Sequence, residues 1–261
     1  MQEFQVLGIT LKDYSARESM KLVENYFNDG KISTICYLTA GGLLEAESHP
    51  ETKDFLEKMD LTVAAQPEVL TASSVQPRSR IKEVENNDFL RLFVNRMVRG
   101  GAQICLLSDS QEDLARLKDG LLSYQAGLRI VGTYVIEGGD QDIDTLINDM
   151  NVAAPHVLIS NLSYPLRESF FTDHHMKLHA GIWLMLQKGM AIEKHGMTLG
   201  QKIRGFFDKR ALRRTVDQYR RQEEKQEEEV RAKEEALLKF DTQEIDTEEI
   251  RKALSEKDQQ I

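Results

Sequence analysis

The chain has 261 residues, 41% hydrophobic and 30% charged, with 34 Lys+Arg against 43 Asp+Glu for a net charge of -9. That length suits one α/β domain with an appendage or two small domains, and the apolar content excludes a wholly disordered chain. The acidic balance argues against a dedicated nucleic-acid binder, which carries a net basic footprint. Cys36 and Cys105 sit in the apolar runs ICYL and ICLL, which read as buried strands and support neither a disulfide framework nor a CxxC zinc site. The opening MQEFQVLGITLKDYSARES lacks the basic flank and apolar core of a secretory signal. No run reaches the roughly eighteen apolar residues of a membrane span, so the cytoplasm is the expected location.

In chain order, FQVLGI at 4–9 predicts a strand. Ala16, Met20, Val23 and Phe27 recur at helical spacing and NDGK closes that helix. ISTICYLT follows as a strand, Ala40-Gly41-Gly42 as a loop, and Leu43 to Met59 as a helix. LTVAA reads as a strand broken by Gln66-Pro67, and the polar stretch 73–88 reads as a surface loop. A helix from Asp88 to Arg99 stops at Gly100-Gly101, a glycine pair suited to a left-handed C-terminal turn. Strand QICLLS, helix QEDLARLKDGLLSYQ, strand LRIVGTYV, helix DIDTLINDMNV, strand HVLISNL and a helix near 165–176 complete the series. Trp183, in AGIWLMLQKGM, reads as core or an apolar wall. The alternation indicates an α/β fold: a Rossmann-like, mostly parallel sheet with helices on both faces.

The composition breaks after residue 197, dividing the chain into an α/β domain over 1–197 and a charged extension over 198–261. Residues 201–214 hold six basic side chains and one acid, with Phe206 and Phe207 interleaved. Two readings stay open for Lys202, Arg204, Lys209, Arg210, Arg213 and Arg214. They lie on an anionic membrane surface with the aromatics inserted, or they pair with the acidic tail while the apolar side packs on the core. Beyond Thr215 the chain is acidic and poor in bulky apolar residues, a solvated helix laced with ion pairs or a disordered segment, without a heptad repeat.

His174, His175 and His179 form HHxxxH, which puts the last two at i,i+4 if they share a helix. With no glutamate of HExxH and no placed third ligand, they read as surface and cap residues. Ser160 and Ser163 lack a Gly-x-Ser-x-Gly elbow, which argues against a serine hydrolase. Gly41-Gly42 and Gly138-Gly139 are turn glycines outside any phosphate-binding fingerprint, although the first pair can border a nucleotide pocket.

VLGITLKDYSARESMKLVENYF, ICLLSDSQEDLARLKDGL and LRIVGTY, taken in this order and spacing, resemble the WecG/TagA/CpsF glycosyltransferase family over about three quarters of the chain. The resemblance implies a bacterial cell-envelope enzyme that passes an N-acetylmannosamine-type sugar from UDP to a lipid-linked acceptor without a protein-bound metal or other cofactor. Carried over residue by residue, the family's Thr-x-Asn becomes Thr39-Ala40-Gly41, which keeps the threonine. Its Pro-Asp-Gly, with the candidate base, becomes Ala64-Ala65-Gln66. Its Arg-x-x-Gly-x-Asp falls on residues 83–88 and keeps only Asp88. Its Gly-Gly becomes Ser108-Asp109. Its Gly-x-Gly-x-Pro-x-x-Glu becomes residues 161–168, with Asn161 and Ser163 in place of the glycines and with Pro165 and Glu168 kept.

A base at the acceptor hydroxyl contributes roughly 10²–10⁴-fold, and Ala65 cannot supply it. Glu68 and Asp88 are the carboxylates nearest in sequence to replace it, with Thr39 positioning sugar or diphosphate. Gly41, Gly42, Ser108, Asn161, Ser163, Pro165 and Glu168 would line the donor site. Close approach of a diphosphate to backbone N–H groups depends on glycine, so these losses together predict an impaired or altered enzyme. The alternatives are a non-enzymatic scaffold that holds a protein partner or a membrane through its tail, and a sensor that binds UDP-sugar without transfer.

Overall fold

The structure is a computed structural model that describes residues 2–72, 77–138, 141–188 and 209–233. The first predicted strand is in fact a hairpin: Gln2–Val6 (β1) pairs antiparallel with Ile9–Asp13 (β2). The turn between them has φ of 53° at Leu7 and 69° at Gly8, the positive pair that a two-residue type I′ turn demands. Unbroken apolar residues across the turn hid the reversal. Helix Ala16–Tyr26 (α1) starts at Ser15, whose hydroxyl and Glu18 form a reciprocal capping box. Strand Ser33–Leu38 (β3) follows, buried along its whole length.

The predicted loop at Ala40-Gly41-Gly42 is instead the first turn of a helix, Ala40–Ser48 (α2), with Thr39 as its N-cap. The predicted helix from Leu43 to Met59 is two, because Pro50 has no N–H to continue α2 and starts Pro50–Glu57 (α3). After Leu61–Ala64 (β4) come Pro67–Ala72 (α4) and Arg78–Glu85 (α5). The second of these corrects the predicted loop at 73–88. Val84 is its one buried residue, so no apolar stripe announced it, and Arg80 ties it to Asp13 of β2 at 2.7 Å. Asp88–Arg99 (α6) ends as expected: Gly101 has φ of 61° and Ala102 N donates to Met97 O at 3.0 Å, closing a Schellman turn.

Gln103–Ser108 (β5), Gln111–Tyr124 (α7), Arg129–Val135 (β6), Ile143–Val152 (α8), Val157–Ser160 (β7) and Leu166–His174 (α9) follow the predicted order. α9 stops at His174 and a 3-10 turn runs from His175 to Lys177, so His175 and His179 do not share a helix face. A further strand, Ile182–Leu186 (β8), went unrecognised in the sequence; it is buried on both faces and shows no alternation.

Among the described residues, six strands form one sheet in the order β4-β3-β8-β7-β5-β6, and every pairing is parallel. Residues of α1, α6 and α7, including Val23, Phe93 and Leu117, pack on the face that carries Ile35, Leu106, Ile159 and Leu184. On the opposite face Trp183 is fully buried against Phe170 and Phe171 of α9, and its Nε1 donates to Ser160 Oγ at 2.8 Å. Both cysteines are buried and unpaired. The connections therefore place helices on both faces, as right-handed crossovers require.

Residues up to Arg214 form one compact unit and those from Thr215 a second. The predicted break near 197 lies outside the described residues. A helix over 209–233 (α10) carries the start of the acidic tail. No helix among the described residues is long and apolar enough to cross a membrane.

Candidate functional site

In an open α/β sheet, ligands bind beyond the carboxyl ends of the strands, where the strand order reverses. Here β5 connects outward to β6 and β7 connects the opposite way to β8, so the reversal lies between β5 and β7. The residues that follow the strands at this edge are Thr39–Gly42 after β3, Gln66 after β4, Ser108-Asp109 at the end of β5, Asn161–Ser163 after β7 and Gln187-Lys188 after β8.

The N-terminus of α2 is the first natural anion site on this edge, because its leading N–H groups have no helical acceptor. Side chains of this chain already fill it. Gln187 Oε1 accepts from Thr39 N at 3.3 Å and from Gly42 N at 3.1 Å. Gln66 Oε1 accepts from Ala40 N at 2.9 Å, and Thr39 Oγ1 accepts from Gly42 N at 3.3 Å. A Cβ on Gly42 would stand 2.1 Å from Gln187 Nε2, so glycine is what admits the amide.

The N-terminus of α7 is the second such site; Ser110 caps it, its Oγ accepting from Asp113 N at 3.1 Å, and an acid stands just before it. Asp109 Oδ2 accepts from Ser163 N at 3.2 Å and also from Ser163 Oγ. Lys188 Nζ donates to Asp109 Oδ1 at 2.9 Å and lies 3.2 Å from Asp113 Oδ2. Glu112 and Asp113 in the first turn suit the positive end of the helix and oppose an incoming diphosphate. Burial alone would raise the Asp109 carboxyl, but the Ser163 hydrogen bonds and the Lys188 ammonium outweigh it and hold the group below its usual range. The same contact holds Lys188 above its usual range.

A depressed folded pKa adds stability above the unfolded value of about 3.9 and loses it as pH falls through the folded value. The stability difference between wild type and Asp109→Asn is therefore expected to stay flat from pH 8 to about 5 and to shrink below about pH 4. Urea melts across that range check it, and a difference that grows on acidification contradicts the latch.

The N-terminal turn of α9 turns inward. Arg167 and Glu168 are both buried; Arg167 Nε donates to Glu168 Oε1 at 3.1 Å and its NH2 group donates to Glu45 at 2.7 Å. Thr52 Oγ1 donates to the same Glu168 oxygen at 3.0 Å, and the guanidinium stands 5.0 Å from the centre of the Phe55 ring. Glu168 therefore closes an internal cluster behind Pro165, while Tyr164 beside it stacks on His49 at 4.1 Å.

The structure brings Thr39, Gly41 and Gly42 into one turn and links Ser163 to the acid that follows Ser108. Ser108 and Asn161 are buried, and Ser108 Oγ and Asn161 Oδ1 have no hydrogen-bond partner. The two candidate bases are paired: Glu68 in the first turn of α4 with Lys209 at 3.0 Å, and Asp88 in the first turn of α6 with Arg91 at 2.9 Å. Arg210, Arg213 and Arg214 are exposed on α10, whereas Lys202, Arg204, Phe206 and Phe207 lie outside the described residues. Among the described residues no group of three or more His, Cys, Asp or Glu is placed to hold a metal. A shallow cleft lies between the hairpin, α4 and α5, lined by Phe4, Leu11, Val69 and Leu70, and Arg80 beside it is bonded to Asp13 and Glu83.

Sequence reasoning missed Gln187, Lys188 and Arg167. Reading IWLML as a strand was the signal that would have put Gln187-Lys188 at the carboxyl edge. A sequence model described as the glycosyl transferase WecG/TagA/CpsF family matches residues 4–193. No curated protein matches the chain.

Proposed function

Because the chain belongs to the WecG/TagA/CpsF glycosyltransferase family, we propose that it serves cell-envelope polysaccharide or teichoic-acid-type assembly with its donor crevice closed by its own side chains. It is then a catalytically impaired member that does not turn over a UDP-N-acetylmannosamine-type donor. The observation that carries this reading is the occupation of α2 N–H groups by side chains at the carboxyl edge, next to an acid held before α7. Amide oxygens of Gln66 and Gln187 take N–H groups of α2, and Asp109, just before α7, is tied to Ser163 and Lys188.

The chemistry agrees at both ends of the reaction. A departing diphosphate needs free N–H donors or cations, and here Thr39, Ala40 and Gly42 N–H and the Lys188 ammonium are engaged internally. An attacking hydroxyl needs a base, yet Ala65 stands where the family carries its candidate carboxylate. Glu68 and Asp88 are held by Lys209 and Arg91, which weakens their claim to replace it. Scaffolding through the fold and the tail is the remaining role, and the exposed Arg210, Arg213 and Arg214 suit an anionic membrane face or an acidic protein partner.

Calorimetric titration with UDP and UDP-N-acetylmannosamine, without metal and then with Mg²⁺, is the test. No binding up to about 1 mM is expected. No transfer is expected to a lipid-linked acceptor held in anionic vesicles. Co-sedimentation with those vesicles reads membrane contact in the same samples, and its absence removes the membrane part of the proposal. A variant joining Asp109→Gly to Gln187→Gly is expected to gain measurable UDP affinity if it keeps the wild-type far-UV spectrum. Micromolar binding by the wild type sinks the closed-crevice reading; micromolar binding without transfer identifies a sensor.

A further inference from the structure

Gln187 and Lys188 act on two sides of the crevice and are neighbours in sequence. β8 pairs with β7 up to Met185 and with β3 up to Leu186, so both residues lie just past the last paired position of this central strand. Side chains alternate there as along any strand. Trp183 and Gln187 reach the layer of α2, α3 and α9, in which Arg167 bonds Glu45 and Phe171 meets Phe55. Leu184, Leu186 and Lys188 reach the opposite layer, where Phe93 of α6 and Leu117 of α7 share their core. Two adjacent residues thus extend over opposite faces of the sheet.

Each of them ends at the start of a helix. Over one face Gln187 Oε1 accepts from Thr39 N and Gly42 N at α2; over the other Lys188 Nζ joins Asp109, just before α7, to Asp113 in its first turn. These holds are of a kind that water competes for. The amide bonds, at 3.3 and 3.1 Å, lie at the long end of the usual range, and the Lys188 side chain is 42% exposed. A planar peptide joins the two residues, so neither can swing away from its helix while the other keeps its place. Ala40 N stands outside this arrangement, because its acceptor is Gln66 Oε1.

We propose that Gln187-Lys188 is a single latch, which holds the α2 and α7 sides of the crevice shut together and releases them together. The proposal rests on the closed-crevice reading and adds the regulation of that site. Two sites on opposite faces are coupled through one peptide, and the coupling is reciprocal. Whatever draws Lys188 away from its two acids also bares the Thr39 and Gly42 N–H groups across the sheet. An anion that displaces Gln187 from α2 in turn loosens Asp109 and Asp113. The latched and released states differ by named contacts, which is what a two-state element requires.

Amide hydrogen exchange read by NMR on the full chain tests it, with Asp109→Asn and Lys188→Met as variants that break the α7 contact and leave α2 untouched. Each is expected to speed exchange at Thr39 and Gly42 at least about fivefold. Ala40, held by Gln66, is expected to stay within about twofold of wild type. The double variant is expected to match either single one, since both remove the same contact. In the reverse direction, Gln187→Ala is expected to move the Asp109 titration up toward the ordinary carboxyl range in carbon NMR, because Lys188 then leaves it more often. Unchanged exchange at Thr39 and Gly42 in both variants overturns the latch. So does an equal rise at Ala40, which marks general loosening, or an Asp109 titration that ignores Gln187→Ala. Wild-type binding of UDP sinks the closed-crevice reading instead and is read separately from these rates.

Discussion

Arg167→Ala is expected to destabilise the α/β unit by about 3–5 kcal/mol, the usual cost of removing one partner from a buried ion pair. Its side chain is 5% exposed and serves two carboxylates, Glu45 and Glu168, while its flat cation covers Phe55. Without it Glu168, itself 7% exposed, keeps the Thr52 hydroxyl and no countercharge. Glu45 is freer, at 29%, and can turn to water. A domain of this size has a total stability of about 5–15 kcal/mol, so the variant sits near the edge of folding. Urea denaturation followed by circular dichroism measures the loss. Arg167→Met with Glu168→Leu removes both charges and is expected to return to within about 2 kcal/mol of wild type. If Arg167→Ala costs less than about 1 kcal/mol, the cluster is not the buried, interdependent unit its geometry describes.

Trp183→Ala is expected to cost about as much, 3–5 kcal/mol, through a cavity rather than a charge. The indole is fully buried in the central strand β8, edge-on to Phe170 with centroids 5.9 Å apart and tilted against Phe171. Its removal empties space bounded by sheet on one side and α9 on the other, where neither layer can close in. Trp183→Phe keeps most of the ring volume but leaves Ser160 Oγ without its donor, and is expected to cost about 1–3 kcal/mol. The ordering of the two variants in thermal melts is the check; equal stability for both contradicts a packing role.

How much of this could be read from the sequence depended on how local the cause was. The glycine stop at Gly101 and the buried runs around Cys36 and Cys105 are short-range patterns, and they took the expected forms. Thr39, read as a positioning residue, is the cap of a helix whose first turn had been read as a loop, since Gly41-Gly42 carries no helical signal of its own. β8 escaped because a strand covered on both faces has no period to detect, and α5 because tertiary ion pairs rather than an apolar stripe hold it. The acid at Asp109 was legible as an obstacle to a diphosphate. That Gln187 closes the neighbouring turn was not, because its partner Gly42 lies 145 positions away and only the strand order brings them together.

The short hairpin at the start of the chain also bears on assembly. With β1–β2 and α4 beside it, the four-residue strand β4 does not offer a bare row of backbone groups to other molecules. Left bare, such an edge could pair with other copies and the pairing repeat into an open-ended ribbon. In these terms the N-terminal hairpin is a terminator of assembly.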